Sequence, residues 1–342
     1  MKAAVIRGPA DIRVETVDTP SIKDNEILVK VAACGICGTD LRSYKAGPSV
    51  IHKGRNIIGH EFSGEVVEVG SAVKGVTLGS RITGNGYYFC RECPACQQGM
   101  VFECPDRGLI GYGLDGAMAE YVVLPNPMPG GLLFELPETM SYEEAAVVEP
   151  MTISGWAVEE AHLQPDQTVV VLGAGPIGLG ALQFAKLEGA RVIVSEPSAK
   201  RLAVAQKLGA DVTVDPRVAD PVEVVKEATS GKMANVVVEC SGVPAVFYQG
   251  LDMLQRSGKV MQVANFGQGL NLPPEILEGM MKKNLSVQVT GGAIWGKAFE
   301  LVSTGKINTK ELISHVFPLD EAKQAFEMQM NAEESVKVLL KP

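Results

Sequence analysis

The sequence predicts an α/β chain of two unlike parts: a β-rich first half, and a second half built on a doubly wound parallel sheet. Two observations carry this. Up to about residue 125 short β-branched runs recur between Gly and Pro residues. From Thr168 onward apolar strand candidates alternate with helical segments, the rhythm of βαβ units.

The first-half runs are MKAAVI, IRVETV, EILVKVAA, SGEVVEVG, SRITGNG and AEYVVLP, and they read as an all-β unit. Near residue 141 the pattern changes. Ser141 and Glu144 form a capping box, so EEAAVV opens a helical stretch that continues past Pro150 through ISGWAVEEAHL. The strand candidates TVVVL, RVIVSE, NVVVEC, KVMQVA and LSVQVT follow, separated by helical segments such as PIGLGALQFAKLEG, SAKRLAVAQKLG and AVFYQGLDMLQR. Their continuous apolar character suits a sheet covered on both faces. After about residue 293 the alternation stops, and the tail through VKVLL is expected to return to the first half.

At 342 residues the chain is long for one core, and two domains of ordinary size are expected. Hydrophobic residues at 46% and charged residues at 21% are those of a globular protein. No segment offers the roughly 18 uncharged apolar residues of a membrane span. Charge and proline interrupt MKAAVIRGPADIRVE too early for a secretory signal, so a cytoplasmic location is expected. Seven cysteines, an odd number with metal-like spacing, fit a reducing compartment. A net charge of -9 disfavours nucleic acid, which needs a basic face. Small molecules are the expected partners, with neither nucleic acid nor membrane.

Cys90, Cys93, Cys96 and Cys104 have the spacing C-x2-C-x2-C-x7-C. Two short arms and a longer return bring four thiolates to the corners of a tetrahedron, the closed coordination of structural zinc. Gly86, Pro94, Gly99, Pro105 and Gly108 punctuate the segment, so a metal would supply cohesion it lacks. Free or disulfide-linked thiols are the alternative.

Strand TVVVL runs into Gly173-Ala174-Gly175-Pro176-Ile177-Gly178, a GxGxxG that opens a helix, and Glu196 ends the next strand. This context meets the requirements of a dinucleotide site. Gly173 makes the tight turn, Gly175 admits the pyrophosphate, Gly178 lets helix pack on strand, and the helix N-terminus favours the anion. Glu196 is expected to accept hydrogen bonds from the ribose hydroxyls and to repel a 2'-phosphate, favouring NAD over NADP. Lys200 and Arg201 stand close enough to soften that repulsion.

A second donor set is spread along the chain: Cys37 in Cys-Gly-Thr-Asp, His60 and Glu61 after Gly59, and Glu149 before Pro150. One Cys, one His and one carboxylate leave a fourth position open, as catalytic zinc requires. Singly, such residues are more often core than ligands, and only the combination argues for metal.

The segments CGICGTDL, GHEFSGEVVEVG, the four-cysteine lobe, VVEP and VLGAGPIGLG occur in this order. Together they resemble the zinc-dependent medium-chain alcohol dehydrogenases over nearly the whole chain. Glu149-Pro150 and VIVSEPSAKRLAVAQKLGAD look most like the polyol branch of butanediol, sorbitol and threonine dehydrogenases. The resemblance implies a GroES-like β-barrel catalytic domain over residues 1–150 with both zinc sites, and a Rossmann NAD-binding domain over 151–293. Residues 294–342 would return to the catalytic domain, the active site would lie in the cleft between the two, and the chain would form homodimers or homotetramers. The implied reaction is reversible oxidation of a secondary alcohol or polyol to a ketone, with hydride passing to NAD.

By matching position, Cys37 and His60 would hold catalytic zinc with Glu149 as third ligand. Glu61 would be an alternative ligand exchanging with Glu149 or water, and which glutamate binds at rest is left open. Asp40 would accept the second ring N–H of His60, and Thr39 would take the substrate's hydroxyl proton. Arg201 would lie along the adenosine, and Val263, Ala264 and Thr290 would line the nicotinamide.

Two departures stand out. Where the family often has a proton-relaying histidine five positions after the cysteine, this chain has Arg42, which cannot easily accept a proton. The loop between Tyr44 and Gly59 carries Lys45, His52, Lys53 and Arg55, either a solvated surface or a receptor for an anionic substrate such as an amino acid, sugar acid or sugar phosphate. Trp295 and Phe266 are either pocket walls or core. Cys34 and Cys240 are expected to be buried and unligated. A non-catalytic NAD-binding redox sensor is the reading of another class, and a full ligand set with Thr39 counts against it.

Overall fold

The computed structural model describes residues 1–47, 54–267 and 269–342. A hairpin of β1 (Lys2–Gly8) and β2 (Asp11–Thr16) leads to β3 (Glu26–Gly35), helix α1 (Gly38–Ala46), β4 (Glu61–Val69) and β5 (Arg81–Gly84). The lobe that follows holds β6 (Tyr87–Tyr88), α2 (Pro94–Gln97) and β7 (Gly108–Leu109); β8 (Tyr121–Pro125) and β9 (Leu133–Glu135) complete the strands of this half. Each of the six β-branched runs forms a strand. The expected all-β character is corrected at α1, where the Asp40 carboxylate accepts the Cys37 N–H at 2.8 Å and so starts a helix.

Helices α3 (Tyr142–Ala146) and α4 (Val148–Ala161) follow, and the capping box forms: Glu144 N–H donates to Ser141 Oγ at 3.2 Å, and Ser141 N–H to Glu144 Oε2 at 3.1 Å. Helix α4 crosses residue 150.

The second half runs β10 (Thr168–Leu172), α5 (Pro176–Leu187), β11 (Arg191–Ser195), α6 (Ala199–Lys207), β12 (Val212–Val214), α7 (Pro221–Ala228) and β13 (Ala234–Glu239). It continues with α8 (Pro244–Asp252), β14 (Leu254–Gln262), α9 (Pro274–Lys283) and β15 (Ser286–Val289). The strands pair in parallel in the order β12-β11-β10-β13-β14-β15. This is the Rossmann order, with its reversal between β10 and β13. Val169 and Val171 pack into one core while Val170 and Leu172 pack into the other, so β10 is covered on both faces. Strand β15 differs from that expectation: as an edge strand it leaves Val289 78% exposed. Strand β12 has three residues, too few to carry a pattern.

The tail comprises α10 (Trp295–Ser303), β16 (Ile313–Pro318), α11 (Ala322–Met330) and β17 (Lys337–Lys341). Strand β17 joins the first-half sheet antiparallel to β3, with Leu339 opposite Gly35 and Leu340 opposite Cys34. Its Val338 and Leu340 share a core with Val29, Phe62 and Phe326.

Candidate metal centres and dinucleotide site

Strand β3 ends at Gly35, and Ile36 carries the chain to Cys37 at the start of α1. Gly59, at φ 98°, turns the chain into β4, and an added Cβ there would stand 2.7 Å from Cys34 Sγ. The register then sets Gly35 opposite Glu61. As a result Cys37 Sγ, an imidazole nitrogen of His60 and a carboxylate oxygen of Glu61 all lie within 4.8 Å of one another. Glu149, in the first turn of α4, is outside this three-residue cluster, although its charge acts on His60.

Burial opposes a charge on His60, yet Cys37 and Asp40 outweigh it and hold the imidazole well above its ordinary range. Burial pushes Glu149 up to about 7. Negative charge thus converges in a buried pocket that a cation would neutralise, and one S, one N and one carboxylate O form a donor set that suits zinc.

The expected Asp40–His60 hydrogen bond is corrected. Asp40 Oδ1 faces His60 Nδ1 at 3.9 Å, beyond hydrogen-bond reach, and both atoms are buried without a hydrogen-bond partner. The physical reason is that Asp40 Oδ2 is committed to capping α1. Thr39 Oγ1 accepts a hydrogen bond from Arg42 Nη2 at 3.0 Å and lies 3.5 Å from Cys37 Sγ.

Sequence reasoning missed Lys337. Its ammonium forms an ion pair with Glu61 Oε2, both side chains being 2% exposed, and donates to the Ile36 carbonyl at 2.9 Å. Burial disfavours the charge, but Glu61, Cys37 and Asp40 keep the amine protonated above its usual range. Removing one member of such a pair costs about 3–5 kcal/mol because the other charge is stranded. A lone Lys in VKVLL gives no signal of this, since its meaning arises only when β17 docks on β3. Tyr112, whose ring centroid is 6.1 Å from that of His60, was also missed.

In the four-cysteine lobe, Cys90 Sγ lies 3.5 Å from Cys104 Sγ and 3.9 Å from Cys96 Sγ. Four sulfurs around zinc at about 2.3 Å stand about 3.8 Å apart. A disulfide needs about 2.05 Å, and all four cysteines are free. Backbone N–H groups aim at the sulfurs: Cys93 N–H donates to Cys90 Sγ at 3.4 Å and Cys96 N–H to Cys93 Sγ at 3.5 Å. Such donors, those of Glu92 and Cys93 first, lower the Cys90 thiol to about 7, towards the thiolate that metal requires.

At the switch point Gly173 takes φ 93°, and an added Cβ would stand 3.2 Å from Ser241 N just beyond β13, so only glycine fits the turn from β10 into α5. A Cβ at Gly178 would run into the Gly173 carbonyl. At Gly175 a Cβ would meet only the Arg201 guanidinium, at 4.0 Å, and the backbone faces open space at the head of α5, where Pro176 is the first helical residue and Ile177 the second. That cradle fits a pyrophosphate.

Glu196 is 4% exposed; its oxygens accept N–H groups from Ala174 at 2.7 Å and Ser198 at 3.0 Å. Arg201 stands 3.9 Å from it and donates through Nε to the Ser335 carbonyl at 2.8 Å. Val263, Ala264 and Thr290 line one cleft of about 510 Å³ at the ends of β14 and β15, with Phe266 on its wall.

Residues 23–138 match the alcohol dehydrogenase GroES-like domain, and residues 176–304 match the zinc-binding dehydrogenase domain. The chain belongs to the zinc-dependent medium-chain alcohol dehydrogenase family. It is 35% identical to the D-arabitol-phosphate dehydrogenase of Enterococcus avium, over 99% of this chain and 97% of that one. With the sorbitol dehydrogenase of Bacillus subtilis it shares 33% identity, over 100% and 97%. Among solved structures, a zinc-binding dehydrogenase from Sinorhizobium meliloti bound to NADP superposes with a TM-score of 0.88 at 34% identity, covering 100% and 99%. This zinc dehydrogenase is therefore an oxidoreductase of CH–OH donors, with a GroES-like domain and a Rossmann domain.

The dehydrogenase has a second cavity, of about 190 Å³, beside Glu149, lined by Asn85, Tyr87, Phe102, Arg107 and Trp295. Of the four basic residues between Tyr44 and Gly59, two are described. Arg55 is held by Asp115 at 2.7 Å and by the Asp18 carbonyl at 2.6 Å. Lys45 sits at the end of α1, while His52 and Lys53 lie outside the described residues. Cys34 is buried and Cys240 half-buried, both free. No described helix is long and apolar enough to cross a membrane.

Proposed function

We propose that this dehydrogenase oxidises a secondary alcohol or polyol to a ketone, reversibly, with NAD as hydride acceptor. The observation that carries the reading is the convergence of Cys37, His60 and Glu61 within 4.8 Å, with the Thr39 hydroxyl 3.5 Å from Cys37 Sγ. Cys37, His60 and a glutamate, Glu149 or Glu61, would hold zinc, which when bound would supply a Lewis-acidic charge that favours loss of a hydroxyl proton. Thr39 receives that proton and, with Arg42 already donating to its oxygen, passes its own onward to water or another group. Glu196 and Arg201 hold the adenosine side, Val263, Ala264 and Thr290 the nicotinamide side. The buried Glu196 carboxylate supports NAD over NADP, although a solved relative binds NADP.

In this reading residues 1–150 form the catalytic domain, 151–293 the cofactor domain, and 294–342 return to the first. The protein works in the cytoplasm as a homodimer or homotetramer; the exposed edge strand β15 with Val287 and Val289 supports association. A screen for NADH production over vicinal diols, sugar alcohols and amino alcohols, run beside a zinc assay, tests it. Two zincs per chain with turnover of a polyol are expected. Bound NAD with one zinc and no turnover on any alcohol would instead mark a redox sensor.

A second reading takes a polyol phosphate or another anionic substrate. Arg107, on the wall of the cavity beside Glu149, favours it, as does a relative named for an arabitol phosphate. Including phosphorylated polyols in the same screen separates the two.

A further inference from the structure

The C-terminal end of β13 carries a carboxylate that no step of the proposed reaction uses. Glu239, the last residue of that strand, is fully buried. Its Oε1 accepts N–H groups from Ser241 at 2.8 Å and Gly242 at 3.0 Å together with the Ser241 hydroxyl, and its Oε2 accepts Gln262 Nε2 at 2.8 Å. Each of these donors is neutral. The negative charge is thus held in place by dipoles and not cancelled by a cation among them.

Burying a charge in this way is costly, and the place where it is buried adjoins the cleft assigned to the reactive end of the cofactor. The Glu239 carbonyl accepts the N–H groups of Val263 at 3.0 Å and Ala264 at 3.1 Å. Gln262 Nε2 also donates to the Ala264 carbonyl at 2.6 Å, and the Gln262 carbonyl accepts the Thr290 N–H at 3.0 Å. Glu239 is therefore one hydrogen bond from two of the three residues placed on the nicotinamide side, and joined to the third through Gln262, which lines the same cleft.

The nicotinamide ring is a cation when oxidised and neutral when reduced. A fixed negative charge in a water-poor region attracts only the cation. Capping of α8 is the rival role, since Ser241 and Gly242 lead directly into its N-cap Val243. A cap would serve both forms of the cofactor alike.

We propose that Glu239 determines specificity for the oxidation state of the cofactor: its charge strengthens binding of NAD relative to NADH. Loading with NAD and release of NADH are then both favoured, the exchange that alcohol oxidation needs. The proposal rests on the nicotinamide side being at Val263, Ala264 and Thr290, which binding of NAD and NADH to the unmodified protein tests separately.

The experiment compares the unmodified protein with Glu239→Gln and Glu239→Asp in the absence of any alcohol. It measures Kd for NAD, for NADH and for ADP-ribose, which has the adenosine and pyrophosphate but no nicotinamide. Gln262 Oε1 is buried without a hydrogen-bond partner among the described residues, and a turn of that amide would offer it to the one that Glu239→Gln introduces. In Glu239→Gln the Kd for NAD is expected to rise about tenfold, equivalent to about 1.4 kcal/mol, while those for NADH and ADP-ribose stay within about twofold. The potential of the bound couple then rises by about 30 mV. Glu239→Asp keeps the charge, and with it the wild-type ratio of Kd for NAD to Kd for NADH. Equal loss on all three ligands in Glu239→Gln overturns the proposal and leaves Glu239 as a cap of α8; an unchanged Kd for NAD overturns it too. If Glu239→Gln does not fold, the unmodified protein is titrated with benzamide adenine dinucleotide, a neutral isostere of NAD. Binding about tenfold weaker than that of NAD supports the proposal, and equal binding overturns it. Unmodified protein that binds neither NAD nor NADH would instead sink the underlying cofactor reading.

Discussion

Arg42 Nη2 donates to Thr39 Oγ1 at 3.0 Å, so a permanent cation holds the hydroxyl proposed to receive the substrate's proton. The guanidinium orients Thr39 and leaves its hydrogen free to be donated, but it cannot take that proton onward. Arg42→Ala is expected to keep the main inflection of the pH–rate profile while kcat falls roughly 3- to 10-fold, the effect of one neutral-acceptor hydrogen bond. Arg42→His should add an inflection near about 6.5, where imidazole titrates. Loss of the main inflection in Arg42→Ala would show that Arg42 belongs to the proton path itself.

Cys104→Ser addresses the lobe. Between Gly86 and Gly108 the elements are short, two-residue strands, a four-residue helix and a 3-10 turn at Val101–Glu103, and beyond the ring contacts of Tyr87, Phe89 and Phe102 the four sulfurs would draw the segment together through metal. Zinc per chain is expected to fall from two to one. Limited proteolysis should then cut within this segment while the Rossmann half stays intact, and retention of both zincs would contradict the assignment.

For the cofactor site, Glu196→Ala is expected to raise KM for NAD roughly 10- to 100-fold, the range for losing a hydrogen bond to a charged group. The preference for NAD over NADP should shrink with it. Equal loss on both cofactors would mean that Glu196 serves only to hold the glycine loop through Ala174 N–H.

Asp211 sets a pH-dependent contact that ties β11 to α5. Burial works to raise its carboxyl, but Lys186 at 2.8 Å and the Val192 N–H at 2.7 Å outweigh it, leaving it below the usual carboxylate range. A depressed folded-state value stabilises the fold fully above the unfolded pKa of about 3.9 and loses that contribution as pH falls through the lower folded value. Asp211→Asn should therefore lose at most about 1 kcal/mol at neutral pH, because the pair is partly exposed. Denaturant titrations should show the wild type losing its advantage over the variant below about pH 4. A constant gap down to pH 2 would refute the electrostatic account.

What could be read beforehand follows from range of interaction. The Ser141–Glu144 cap, the GxGxxG turn and the C-x2-C-x2-C lobe are set by residues a few positions apart, and sequence spacing specifies such features directly. Helix α1 escaped because its start depends on one Asp40–Cys37 hydrogen bond inside a stretch that otherwise reads as the end of a strand. Whether Arg55 would be free to meet a substrate was left open for a related reason. Its partner Asp115 lies 60 residues away, and a charge on a loop does not reveal where its counter-charge will fold.

By itself the sequence determined the two-part α/β architecture, the four-cysteine cluster, the glycine turn and the donor types gathered near Cys37. Only tertiary structure decided that β17 lies against β3, that Lys337 meets Glu61, and that Asp40 stands 3.9 Å from His60. Strand pairing and burial of charge between segments so far apart in the chain, Lys337 and Ile36 being 301 residues apart, depend on the whole folded core. No local pattern of residue types encodes them.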